Sequence, residues 1–123
     1  MDEKIAPFVP FENHEEGQLA VDVIEKKESI IIRAAIAGVK PEEIDIDVTN
    51  DLVTIRGERK SAETFHDATF HFEECFWGRF SRSIILPHEV NPDTSEAKFK
   101  DGILTLTIQK SHGEMHVPIR HDV

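Results

Sequence analysis

The stretch IDIDVTNDLVTIRGE, residues 44 to 58, alternates from its first residue. Ile44, Ile46 and Val48 fall on one side, and Asp45, Asp47 and Thr49 on the other. Successive side chains of a strand point to opposite faces, so this is the pattern of a strand with one face in a core and one in water. Only Asn50 and Asp51 separate it from LVTIRGE (52–58), which reads as the second arm of a tight hairpin.

The same period runs outward along the chain. LAVDVIE (19–25) alternates weakly, and SIIIRAAI (29–36) is nearly all apolar, as a strand covered on both faces would be. ILTLTIQ (103–109) alternates again, with KDG (100–102) as a turn joining it to the short segment SEAKF (95–99). AGVKPEE (37–43) and VNPDTSE (90–96) each combine a proline with acidic residues, which suits one helical turn at most. Short strands, brief connections and no long amphipathic helix indicate an all-β chain folded as an antiparallel, immunoglobulin-like β-sandwich of seven to eight strands. RKSAETFHDATFHFE (59–73) starts polar and turns aromatic, suiting a long loop that carries a short strand of its own.

Three regions are expected. An N-terminal arm covers residues 1–17, where Pro7 and Pro10 interrupt Ile5, Phe8, Val9 and Phe11 and oppose a helix or central strand. The β-domain covers 18–110, and a C-terminal extension covers 111–123. With 24 acidic against 14 basic residues the formal charge is −10, which disfavours nucleic acid or an anionic membrane as partner. No apolar run approaches the ~20 residues of a membrane span, and MDEKIAPFVPF lacks the features of a signal peptide. With a lone Cys75, a cytoplasmic location is the expectation.

The pattern contains no convincing catalytic site. No HExxH occurs among the seven histidines, His66 and His71 have no nearby carboxylates at ligand spacing, and Gly113 and Pro118 prevent a helix that would align His112, His116 and His121, so no metal or other cofactor is expected. Cys75 reads as a partly buried structural thiol, GERKS (57–61) is too short for a phosphate cradle, and Asp45 and Asp47 read as a solvated face. The chain is not expected to be an enzyme.

Four motifs in order are similar to one family. AKFKDGILTLTIQK (97–110) resembles the signature of the small heat-shock proteins, and AGVKPEEIDIDVTNDLVTIRGER (37–59) resembles their central hairpin. GRFSRSIILP (78–87) resembles their long strand, and VPI (117–119) their tail motif. The resemblance spans roughly residues 19 to 119. It implies an α-crystallin domain acting as an ATP-independent holdase that binds partly unfolded client proteins, in a homodimer and a higher homo-oligomer.

It also implies roles for particular residues. A strand in the swap loop (59–73), around Thr69, Phe70, His71 and Phe72, would pair with Leu19, Val21 and Val23 of another subunit, with Glu74 and Arg82 at the same dimer interface. Glu74 is followed by Cys75 where the family usually has an arginine, and Phe70, Phe72, Phe76 and Trp77 crowd the region. Ile46, Val48, Ala97 and Phe99 would line a groove between two edge strands. Ile5, Phe8, Val9 and Phe11 would bind clients.

In an extended segment Val117 and Ile119 share a face about 6.5–7 Å apart, and Pro118 limits the freedom lost on docking. These three form a two-pronged anchor suited to a sheet edge. Two other readings remain at this stage: a CS-type co-chaperone module, which has a similar sandwich without swap loop or apolar tail, and a small metal-binding or hydrolytic β-protein.

Overall fold

The computed structural model describes residues 16–61, 63–112 and 117–121. Eight strands form two four-stranded sheets: β1 (Glu16–Gln18), β2 (Val21–Glu25), β3 (Ser29–Ala35), β4 (Ile44–Val48), β5 (Leu52–Arg59), β6 (Gly78–Ile85), β7 (Glu96–Lys100) and β8 (Ile103–Gln109). One sheet has the order β1-β6-β5-β4 and the other β2-β3-β8-β7. Every pairing is antiparallel except that of β1 with β6, which is parallel.

The hairpin at 44–58 forms with Ile46 opposite Ile55 and Val48 opposite Val53. Its turn is closed by Thr49, whose hydroxyl accepts from the Leu52 amide at 3.0 Å. The carbonyls of Asn50 and Asp51 then accept from the amides of Val90 and Leu86, tying the turn to the end of β6. At the other hairpin, Asp101 and Gly102 both take positive φ (54° and 77°), the two-residue turn whose twist suits β7 and β8. Single helical turns occupy Pro41–Glu43 and Pro92–Thr94, and the Asn91 side chain caps the second by accepting from the Asp93 amide at 3.1 Å.

The core lies between the sheets. Ile30 and Ile32 of β3, Val53 and Ile55 of β5, and Leu106 and Ile108 of β8 are buried completely or nearly so. At roughly 25 cal/mol per Å² of apolar surface removed from water, these central strands supply most of the driving force.

Three details differ from the sequence reading. β3 is not covered on both faces: Arg33 and Ala35 are exposed and Ile31 is half-buried. Its outer face forms part of the surface, with Arg33 donating to Asp22 at 2.8 Å. β1 extends the sheet into the stretch assigned to the arm, because Glu16–Gln18 add to the edge of β6. No strand forms at Thr69–Phe72: among the described residues of 60–77 the chain is irregular and exposed.

Candidate functional site

The sandwich has two open sides, each bounded by one edge strand from either sheet. β4 and β7 flank one side, and β1 and β2 the other. An inner-facing residue on an edge strand has a strand neighbour on one flank only, so its apolar surface is incompletely covered.

On the β4–β7 side this produces a groove of about 300 Å³ lined by Pro41, Ile44, Ile46, Ala97, Lys98, Phe99 and Leu104. Three of the four expected groove residues, Ile46, Ala97 and Phe99, come together there. Val48 packs against the core at the far end of β4, outside the lining. Sequence reasoning missed Pro41, Ile44, Lys98 and Leu104. Ile44 carries the same alternation signal as Ile46, whereas nothing in the chain's pattern placed the Pro41 turn over this opening.

The end of the groove nearest Ile44 is built on a close approach. Ile44 pairs with Gly57, and Gly57 with Phe80. A Cβ at position 57 would sit 2.7 Å from the Phe80 ring and 2.8 Å from the Glu43 carbonyl oxygen, so only glycine lets these elements meet. Arg59 reinforces the same corner. Its Nε donates to the Ala37 carbonyl at 2.7 Å, Nη1 donates to the Phe76 carbonyl at 3.4 Å, and the guanidinium lies 5.5 Å from the Phe80 ring centroid.

The tail anchor is exposed: Val117 by 70% and Ile119 by 94%. Val117, Pro118 and Ile119 are absent from the lining of their own chain's groove. The root of this extension is held firmly. Lys110 pairs with Val90, its amide donates to Glu28, and its ammonium meets Glu25 at 2.7 Å. Lys110, helped by His88, holds the Glu25 carboxyl below its ordinary value.

The β1–β2 side carries the residues expected at a dimer contact, with one correction. Leu19 is 4% exposed, because the chain crosses between the sheets here and drops this side chain into the core. Its side chain is therefore closed to a partner. Arg82 lies on the same strand face as Phe80 and Ile84 but stays exposed, and its Nη1 donates to the Leu19 carbonyl at 2.8 Å. Val21 is half-buried, and Val23 is 40% exposed although it faces inward. Thr69, Phe70, His71, Phe72 and Glu74 are all exposed on the loop, where Phe65 and Phe70 form an edge-to-face pair at 6.1 Å; Cys75, expected to be partly buried, is exposed there too, because no element packs over this irregular segment. Ile5, Phe8, Val9 and Phe11 lie outside the described residues.

Among the described residues, no group of three or more His, Cys, Asp or Glu could hold a metal ion, and no helix is long and apolar enough to cross a membrane.

A two-sheet sandwich with an apolar groove between edge strands is the architecture of an α-crystallin domain. The model of the Hsp20/alpha crystallin family matches residues 22–121, and the chain belongs to that family. It is 33% identical over 89 residues to small heat shock protein C2 of Rickettsia felis, covering 72% of this chain and 58% of that one. The chain thus spans little more than half the length of such curated relatives. Among solved structures it resembles heat shock protein 16.0 of Schizosaccharomyces pombe, with a TM-score of 0.70 and 28% identity over 85% of this chain and all (100%) of that one. It also resembles a small heat-shock protein of Xylella fastidiosa, with a TM-score of 0.68 and 27% identity over 85% and 94% of the two chains. The structure of that protein is described as showing a distinct high order structure.

Proposed function

We propose that this protein is a cytoplasmic, ATP-independent holdase that binds partly unfolded proteins through apolar surface and keeps them from aggregating. The observation that carries this reading is the pairing, in one chain, of an open apolar groove with an exposed Val-Pro-Ile anchor. Such a protein makes and breaks no bonds in its clients. It needs apolar surface that assembly can cover and uncover on a soluble scaffold, and a charge of −10 favours dispersal of client complexes.

In this reading two chains exchange loop strands. The unpaired edge of β2, with Val23 exposed beside it, receives the Thr69–Phe72 segment of a second subunit. Among the described residues that segment forms no strand of its own. Val117 and Ile119 then dock into the β4–β7 groove of a neighbouring dimer. Clients engage the arm at Ile5, Phe8, Val9 and Phe11 together with whatever groove surface assembly leaves open.

The test has two parts. At equimolar ratio and without nucleotide, the protein should suppress light scattering from a heat-unfolded enzyme; no suppression at any ratio refutes the holdase reading. Val117→Ala/Ile119→Ala removes two and three carbons, worth up to about 4 kcal/mol if fully buried at about 0.8 kcal/mol each. The solution mass should fall from an oligomer to a dimer. An unchanged mass refutes the tail as a link between dimers.

A further inference from the structure

The outward face of the β2-β3-β8-β7 sheet holds a trough of about 400 Å³ lined by Ala20, Asp22, Arg33, Ala34, Ala35 and Ile103. The small alanines leave the space, Ile103 stands 40% exposed beside them, and the Arg33–Asp22 ion pair forms a rim. The loop between β5 and β6 holds apolar groups in need of cover: Phe65 is 58% exposed, Phe70 and Phe72 are exposed as well, and none of them lines the trough of its own chain. Exposed apolar surface of this extent marks an interaction site. We propose that the trough receives Phe65 of a second copy and that the cations around it hold the carboxylates of the same loop. This rests on the reading of strand exchange at β2, and carries that contact from the strand edge onto the outer face of the sheet.

Reach and room both favour this placement. β2 is the edge of the sheet, so a strand added there arrives beside Ala20 and Asp22. An added strand turns Phe70 and Phe72 to one face and Thr69 and His71 to the other. On the inner face this edge is already filled by Leu19, which is buried, and by Arg82, which is bonded to the Leu19 carbonyl. The outer face is open, so the two phenylalanines take it. Phe65 goes with them, since its ring meets that of Phe70 edge-to-face at 6.1 Å. From the added strand to Ala35 in β3 is two strand spacings, about 9.5 Å. Phe65 lies four residues before Thr69, a span of up to about 13–14 Å, so it can enter the trough.

Charge selects this face over the other. Between Ser61 and Gly78 the loop carries Glu63, Asp67, Glu73 and Glu74 and no lysine or arginine. The outward face of β2-β3-β8-β7 presents Arg33, Lys98 and Lys100 against Asp22 and Glu96. That of β1-β6-β5-β4 presents Arg56 and Arg79 against Glu16, Asp45, Asp47 and Glu58. In a chain of charge −10, an acidic loop is drawn to the first face and repelled by the second. The cations also flank the trough: Lys100 lies opposite Ile103, and Lys98 is in one row with Arg33 through Thr105. Their pull weakens as salt rises.

Disulfide trapping between two forms of the full-length protein tests the proposal. One form carries His66→Cys/Cys75→Ser, which keeps Phe65; the other carries Ala35→Cys/Cys75→Ser, and a tag on one separates the mixed product by mass. The control replaces the second form by Ile85→Cys/Cys75→Ser, on the outward face of the other sheet, where Ile85 is exposed. All the altered positions are exposed, and unchanged far-UV spectra verify folding. The mixed disulfide should form roughly tenfold faster with Ala35→Cys than with Ile85→Cys, because docking raises the effective concentration. Adding Phe65→Ser to the first form should bring the rate down to that of the control. Adding Lys98→Glu/Lys100→Glu to the second should slow it by roughly threefold, most visibly at low salt. Equal rates at Ala35→Cys and Ile85→Cys overturn the proposal, and a dimeric solution mass in the same samples leaves strand exchange standing. A monomeric mass overturns both. Selective trapping that survives Phe65→Ser overturns the role given to Phe65, and selective trapping indifferent to Lys98→Glu/Lys100→Glu overturns the role given to the cations.

Discussion

Gly57→Ala is the most severe single-methyl change the fold admits near the groove. The new Cβ would stand 2.7 Å from Phe80 Cζ and 2.8 Å from the Glu43 carbonyl oxygen. Real Cβ atoms do not approach this closely, so something must move. Phe80 is buried and lies against the Arg59 guanidinium, and Glu43 closes the Pro41–Glu43 turn, so neither yields without loss. Overpacking of this kind costs about 1–3 kcal/mol. Near 2 kcal/mol, the thermal midpoint of a domain this size falls by about 8–16 °C. The assay is thermal unfolding followed by circular dichroism at one fixed protein concentration, since assembly shifts the midpoint by mass action. In Gly57→Ala/Phe80→Leu the ring contact is gone but the carbonyl contact remains, so the two substitutions should be less than additive. A midpoint for Gly57→Ala equal to that of the natural chain would refute the argument that this corner is closed by steric contact.

Other expectations follow from single features. Arg59→Lys keeps the charge but loses the planar fork that reaches both the Ala37 and Phe76 carbonyls, so limited proteolysis within 60–77 should be faster than in the natural chain. Gly102→Ala places a side chain at φ +77°, which should cost about 1–2 kcal/mol in denaturant unfolding. Leu106→Ala opens a cavity between the sheets and should cost about 2–5 kcal/mol by the same measurement. Lys110 holds the Glu25 carboxyl below its ordinary value, so the pair's stabilising effect is complete above that ordinary value. It is lost as pH falls through the lowered one. Glu25→Gln should flatten this acid limb of the stability profile, seen as thermal midpoints that converge with those of the natural chain at low pH.

Period-two alternation marked β2, β4 and β8 and, through the tight turn at Asn50-Asp51, β5, because a half-buried strand must separate apolar from polar residues along its length; β6 was legible only through the family resemblance of GRFSRSIILP (78–87). β1 escaped this reading. Glu16-Gly17-Gln18 contains no apolar or β-branched residue, and its strand geometry is imposed by the edge of β6 rather than by its own side chains. β3 misled in the opposite direction: an unbroken apolar run suggests two covered faces, yet Ile31 and Ala35 lie on a surface face. The weak alternation of 19–25 places Leu19 on the side of Val21 and Val23 but does not show how deeply it is buried. The chain leaves β1 and changes sheet there, and a side chain at a crossover between two layers points between them. The groove was legible through Ile46, Ala97 and Phe99. Pro41 and Leu104 were not, since their placement depends on how the two sheets stack.

The groove residues also show why the Val-Pro-Ile anchor, and not the groove proposed to receive it, is the informative place to mutate. Ile44, Ile46 and Phe99 pack against the central core while lining the opening, so replacing them by polar residues removes both stability and binding surface. Loss of assembly in such variants would not separate the two. The outward faces of the same strands bear on selectivity. β4 presents Asp45 and Asp47 to solvent, and β7 presents Glu96, Lys98 and Lys100. Charges on an edge strand oppose indiscriminate pairing with other sheets. An incoming strand at this side must therefore supply apolar side chains at i and i+2 for the inner face and accept a charged outer rim. Val-Pro-Ile of the extension meets the first condition, since Val117 and Ile119 stand two residues apart and are exposed.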